Sequence, residues 1–141
     1  MVRQKHNRAR QILVVEDEDF LRNLLQVSLE KEGYRVVIAK DGVEALDVFR
    51  QIPVDLILLD ILMPRLDGFE VCKTVRKHSD VPIVMLTALN STDDTVQGFE
   101  LGADDFISKP FTFKEVNARI QAILRRIQWA EEQPSFAILA Y

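Results

Sequence analysis

Three short apolar runs set the frame of this chain: Ile12-Leu13-Val14-Val15, Leu56-Ile57-Leu58-Leu59 and Ile83-Val84-Met85-Leu86. Each is continuous rather than alternating, the pattern of a strand covered on both faces, and such strands belong to parallel sheets flanked by helices. Two weaker segments read as edge strands. Tyr34 to Ala39 is interrupted by Arg35, and Asp105 to Ser108 is short and half polar, features that discourage pairing with another chain.

Helical signals fill the intervals. Phe20, Leu21, Leu24, Leu25 and Leu29 form a stripe that stops at Gly33. Asp41-x-x-Glu44, Asp67-x-x-Glu70 and Thr112-x-x-Glu115 have the form of capping boxes, each ahead of apolar residues at helical spacing. Those faces are Ala45, Leu46 and Phe49; Val71, Cys72 and Val75; and Val116, Ile120, Ile123, Leu124 and Ile127. A further helix is expected from Ser91 or Thr92, with Val96 and Phe99 on its apolar face and Gly102 at its end. Five strands alternating with five helices over short connections imply right-handed crossovers and a doubly wound parallel sheet, for which 2-1-3-4-5 is an established strand order. With 141 residues the chain is too short for an eight-stranded barrel.

Composition narrows the function classes. Hydrophobic residues make up 48% and charged residues 28%, enough to bury a core. A formal net charge of −4 argues against a dedicated nucleic-acid binder, which normally carries a basic face. One cysteine excludes a disulfide framework within the chain and suits a reducing compartment, so a cytoplasmic location is expected. No apolar run approaches the roughly 20 residues that span a bilayer, and no membrane role is expected. Residues 1–10 read as a basic flexible tail, 11–129 as the folded domain, and 130–141 as a linker or the truncated start of an effector domain.

In an open parallel sheet, ligands bind beyond the carboxyl ends of the strands, where the strand order reverses. Glu16 and Asp17 follow the first strand, Asp60 ends the third, Thr87 the fourth, and Lys109 follows the fifth. If strands one and three are neighbours, three carboxylates converge, and such a cluster must keep a proton or recruit a cation. An all-oxygen set favours Mg²⁺. Asp60, central among these groups, is the candidate nucleophile toward phosphorus, with Lys109 as a second positive charge and the Thr87 hydroxyl as a hydrogen-bond donor.

The segments ILVVEDE, DLILLDILMPRLDGFEV, PIVMLTA and LGADDFISKPF resemble the receiver domain of bacterial two-component response regulators, over about residues 11 to 127. GADDFISKPF followed by NARIQAILRR is most similar to the OmpR/PhoB-type subfamily. The resemblance implies a flavodoxin-like fold and a phosphorylation-activated switch rather than an enzyme that turns over a substrate. Asp60 would be the phospho-acceptor; Glu16, Asp17, Asp60 and the Leu62 backbone carbonyl would hold Mg²⁺; Thr87 and Lys109 would contact the phosphoryl group. Phe106 would be the switch aromatic and Lys109-Pro110 a cis peptide. The implied phosphodonor is a sensor histidine kinase or a phosphotransfer protein. The implied output is a homodimer formed on phosphorylation, with DNA bound only through a C-terminal effector domain that these residues do not include.

The face expected to dimerise carries Asp104 and Asp105 opposite Arg126 and Arg119, and Glu115, whose expected basic partner is replaced by Thr95. Leu62 and Leu89, each two residues past a site residue, border the path of an attacking water and imply slow loss of phosphate. The principal rival is a haloacid-dehalogenase-type phosphohydrolase with Asp17 as nucleophile and Asp19 as general acid, which leaves Asp60 without a role. A flavodoxin-type flavin binder is disfavoured because Glu16-Asp17-Glu18-Asp19 would repel a phosphate.

Overall fold

The computed structural model describes residues 9–88 and 92–132. Its elements alternate along the chain: β1 (Gln11–Val15), α1 (Asp19–Lys31), β2 (Arg35–Ala39), α2 (Gly42–Gln51), β3 (Leu56–Asp60), α3 (Gly68–Arg76), β4 (Ile83–Thr87), α4 (Thr92–Glu100), β5 (Asp105–Ser108) and α5 (Phe113–Glu132). The strands form one parallel sheet in the order β2-β1-β3-β4-β5. Both edge strands are therefore the two weak segments, and the strand order reverses between β1 and β3.

Successive strand side chains point to opposite faces, so each apolar run feeds two cores. Leu13, Val15, Ile57, Leu59, Ile83 and Met85 pack with Ala45 of α2 and Val71, Cys72 and Val75 of α3. Ile12, Val14, Leu56, Leu58, Val84 and Leu86 pack with Leu25 and Leu29 of α1 and with Val116, Ile120, Ile123 and Leu124 of α5. The three expected caps all form. Asp41 accepts from Glu44 N (2.8 Å), Asp67 from Glu70 N (2.9 Å) and Thr112 Oγ1 from Glu115 N (3.1 Å).

Two helix faces differ from the expected ones. On α1 only Leu25 and Leu29 are fully buried, while Phe20 and Leu24 are 73% and 48% exposed. On α4 Val96 and Phe99 face outward and the buried residue is Gly98. The reason is closeness: a Cβ at Gly98 would lie 2.6 Å from the Phe106 ring, so β5 leaves no room there for a side chain.

The ends of the domain are tied together. The Arg10 carbonyl accepts from Arg35 N (2.9 Å), and its guanidinium meets Asp55 (3.6 Å) and Glu131 (3.3 Å). α5 continues through residues 130–132, past the expected start of a linker at 130. Most of the expected basic tail, Leu89, and residues 133–141 lie outside the described residues.

Candidate functional site

Strand register builds the site. Val15 is opposite both Ala39 and Leu59, Asp60 is opposite Leu86, and Thr87 is opposite Ser108, so the tips of β1, β3, β4 and β5 end at one level. Glu16 follows β1 and stays under the sheet edge because its N–H bonds Ala39 O (3.1 Å). Glu16, Asp60 and Thr87 are buried, whereas Asp17 is exposed. Carboxylate oxygens of Glu16, Asp17 and Asp60 all lie within 4.8 Å of one another.

Lys109 reaches this cluster from the far side. Its backbone N–H donates to Thr87 O (2.7 Å) and its bond to Pro110 is cis. Its Nζ lies 3.2 Å from Glu16 Oε1 and 3.4 Å from Asp60 Oδ2. Backbone donors hold the carboxylates as well: Glu18 N bonds Glu16 Oε2 (3.1 Å) and Leu62 N bonds Asp60 Oδ1 (3.3 Å). Arg22, a residue no local pattern marks, fixes the acidic loop by donating to Glu16 O (2.9 Å) and to Asp19 (2.5 Å).

Burial, and then the charge of Asp60, push the Glu16 carboxyl up to about 7. Burial also raises Asp60, with Lys109 working against it. For Lys109 burial works downward, but Asp60 and Glu16 outweigh it and hold the ammonium cationic. Three carboxylates against one ammonium leave an excess of negative charge in a small space. The cluster offers oxygen donors without sulfur or imidazole, and this donor set and its unrelieved charge fit a hard divalent cation such as Mg²⁺.

The remaining expected residues divide. Phe106 is half-buried, its ring against Gly98 and 6.1 Å from that of Phe99. Leu62 is 50% exposed beside Asp60. On the α4–β5–α5 face, Asp105 pairs with Arg119 of the same chain (2.9 Å), and Arg119 also approaches Glu115 (3.8 Å). Asp104 pairs with Arg76 (3.0 Å) and accepts from Ile83 N (2.8 Å). Arg126 is exposed and borders a cleft with Asp80 and Asp104. Asp19, the general acid of the phosphohydrolase reading, is exposed and paired with Arg22, and the carboxylate cluster among the described residues does not include it. Next to Lys109, Leu21, Ala88, Pro110 and Phe111 line an apolar depression. No helix among the described residues is long and apolar enough to cross a membrane.

The family model for the response regulator receiver domain matches residues 12–121. Among curated proteins the chain is 52% identical over 124 residues to a probable transcriptional regulator ycf27 of Cyanidium caldarium, covering 88% of this chain and 50% of that protein. It is 54% identical over 115 residues to the Guillardia theta protein of the same description, covering 82% and 45%. The chain thus spans about half the length of the curated relatives it matches. Among solved structures, the Francisella response regulator 1452 receiver domain superposes with a TM-score of 0.80 at 32% identity, over 84% of this chain and 98% of that one. The response regulator TrrA of Thermotoga maritima, solved in complex with Mg²⁺-BeF, gives 0.73 at 37% identity, over 80% and 97%. Sheet order, clustered acidic tips and sequence agree, and this chain belongs to the response regulator receiver domain family.

Proposed function

We propose that Asp60 accepts a phosphoryl group from a phosphohistidine of a sensor histidine kinase or phosphotransfer protein, and that the aspartyl phosphate switches the α4–β5–α5 face. The observation that carries this reading is the placement of Asp60: buried, within the acidic cluster, with the Lys109 ammonium 3.4 Å away. An Asp60 carboxylate oxygen attacks phosphorus, the phosphorus–nitrogen bond breaks, and the imidazole leaves with the bonding pair. Glu16, Asp17, Asp60 and the Leu62 backbone carbonyl would hold Mg²⁺, which supplies positive charge to the phosphoryl oxygens when bound. Lys109 disperses charge from the other side, and the Thr87 hydroxyl donates to a phosphoryl oxygen. The Thermotoga maritima relative supports the reading, since beryllium fluoride has the tetrahedral shape of a phosphoryl group.

Movement of Thr87 toward the phosphoryl group frees space that Phe106 follows, a population shift between two packings. On the switched face, Asp105–Arg119 and Asp104–Arg76 are pairs within the chain, so a homodimer that uses these charges must exchange them. The curated relatives are described as probable transcriptional regulators, which supports an output through DNA carried by a C-terminal effector domain. The test is intact mass after acetyl phosphate, with and without Mg²⁺, for the parent, Asp60→Asn and Asp17→Asn. The reading expects one phosphoryl increment in the parent with Mg²⁺ and none in Asp60→Asn. Labelling that survives Asp60→Asn and vanishes only with Asp17→Asn would favour the phosphohydrolase.

A further inference from the structure

Residues 61–67 carry the chain from β3 to α3, and the proposed function gives them the Leu62 carbonyl. The loop is folded on itself: Met63 N and Gly68 N both donate to Ile61 O (3.1 and 2.9 Å), and Leu66 N donates to Pro64 O (2.9 Å). At its crest Arg65 has φ +69°, the only residue other than glycine in the left-handed region among the described residues. A side chain with a Cβ resists that conformation, so contacts outside the loop must hold it there.

Those contacts converge on α2. The Arg65 guanidinium donates to Asp41 Oδ2, and the other Asp41 oxygen accepts from Glu44 N (2.8 Å) to cap the helix. The Glu44 N–H, and then Arg65, keep the Asp41 carboxyl below the ordinary carboxylate range, so the buried group is charged. Beside it, a Cβ at Gly42 would lie 2.5 Å from Leu66 O, which shows how closely α2 meets the loop. Asp41 also sits two residues past Ala39, whose carbonyl holds Glu16 N (3.1 Å). One ion pair therefore joins the wall that carries Glu16 and Asp17 to the wall that carries Leu62.

We propose that Asp41 and Arg65 form a positioning clamp that sets the Leu62 carbonyl against Glu16 and Asp17, and so governs affinity for the divalent cation. This rests on the metal-dependent reading above. Neither residue touches the reacting atoms, and the rate of transfer at saturating Mg²⁺ is not set by the clamp. An ion pair that served only to cap α2 would alter stability and leave Mg²⁺ binding alone.

The experiment is calorimetric titration of Mg²⁺ into the parent, Arg65→Gly, Asp41→Asn and the double variant. Glycine at 65 accepts the left-handed backbone, so folding is not at risk, and asparagine at 41 keeps an acceptor for Glu44 N. Each single variant is expected to weaken Mg²⁺ binding about tenfold, the double variant no further, and Arg65→Lys to recover part of the loss. With acetyl phosphate, the Mg²⁺ concentration for half-maximal labelling shifts by the same factor while the limiting rate holds. The clamp is overturned if the parent binds Mg²⁺ and Arg65→Gly stays within about twofold of it, or if the single effects multiply in the double variant. If the parent itself takes up no Mg²⁺, the metal reading fails first and the clamp falls with it.

Discussion

Replacing Asp60 with asparagine removes the proposed acceptor, and it should also stabilise the metal-free protein at alkaline pH. Glu16 and Asp60 present carboxylate oxygens within 4.8 Å of each other. At that separation and an effective dielectric constant of about 20, two full charges repel by about 3 kcal/mol. Lys109, 3.2 Å from Glu16 and 3.4 Å from Asp60, offsets part of this. The asparagine amide keeps an oxygen for the Leu62 N–H and offers Glu16 a donor, so the net gain expected is about 1–3 kcal/mol. A carboxyl whose folded pKa is raised contributes stability at low pH and loses it as pH climbs through the raised value. For Glu16 that window runs from its ordinary 4.5 to about 7. Urea denaturation in EDTA should therefore show Asp60→Asn more stable than the parent at pH 8, with the gain shrinking toward pH 5. Added Mg²⁺ should close the gap by stabilising the parent. A variant no more stable than the parent at pH 8 in EDTA, or a gain as large at pH 5, would refute the electrostatic account.

Three further outcomes follow from the same geometry. Lys109→Met removes the ammonium beside Asp60, and labelling by acetyl phosphate at saturating Mg²⁺ should slow by about 100-fold; an unchanged rate would remove Lys109 from the chemistry. Arg76→Ala severs bonds to Gly102 O (2.7 Å), Val81 O (2.6 Å) and Asp104 (3.0 Å) that join α3 to the segments before β4 and β5. It should cost about 2–4 kcal/mol by urea denaturation, and a loss below about 1 kcal/mol would contradict that role. Leu62→Asn places a polar group beside Asp60 where a half-exposed apolar one now stands, and should shorten the phosphate lifetime several-fold; an unaltered decay in phosphate-release assays would remove Leu62 as a barrier to water.

Much of the architecture is legible in the residues. Continuous apolar runs at 12–15, 56–59 and 83–86 signal strands buried on both sides, and short capped helices between them leave a doubly wound sheet as the economical arrangement. The candidate site is legible for the same reason: strand ends in a parallel sheet converge, which brings Glu16, Asp17 and Asp60 together with Lys109, and leaves Thr87 at the neighbouring tip of β4. What local pattern hides is set by close packing and by long reach. Gly98 contributes no hydrophobicity, so its burial against Phe106 leaves no trace in an apolar stripe. Phe20 and Leu24 look like core residues because periodicity reports a face, not what covers it. Arg65 meets Asp41, and Arg76 meets Asp104, across 24 and 28 positions, through side chains whose partners only the folded chain selects. On the α4–β5–α5 face, Asp105 and Asp104 find Arg119 and Arg76 within the chain for the same reason.

The central claim is that Asp60 alone carries the phosphoryl group. Borohydride converts an aspartyl phosphate to homoserine, so the parent treated with acetyl phosphate and Mg²⁺, then reduced and digested, should yield homoserine at position 60 and only in the presence of Mg²⁺. Homoserine at position 17, or a stable phosphate on Thr87 with position 60 untouched, would contradict the account.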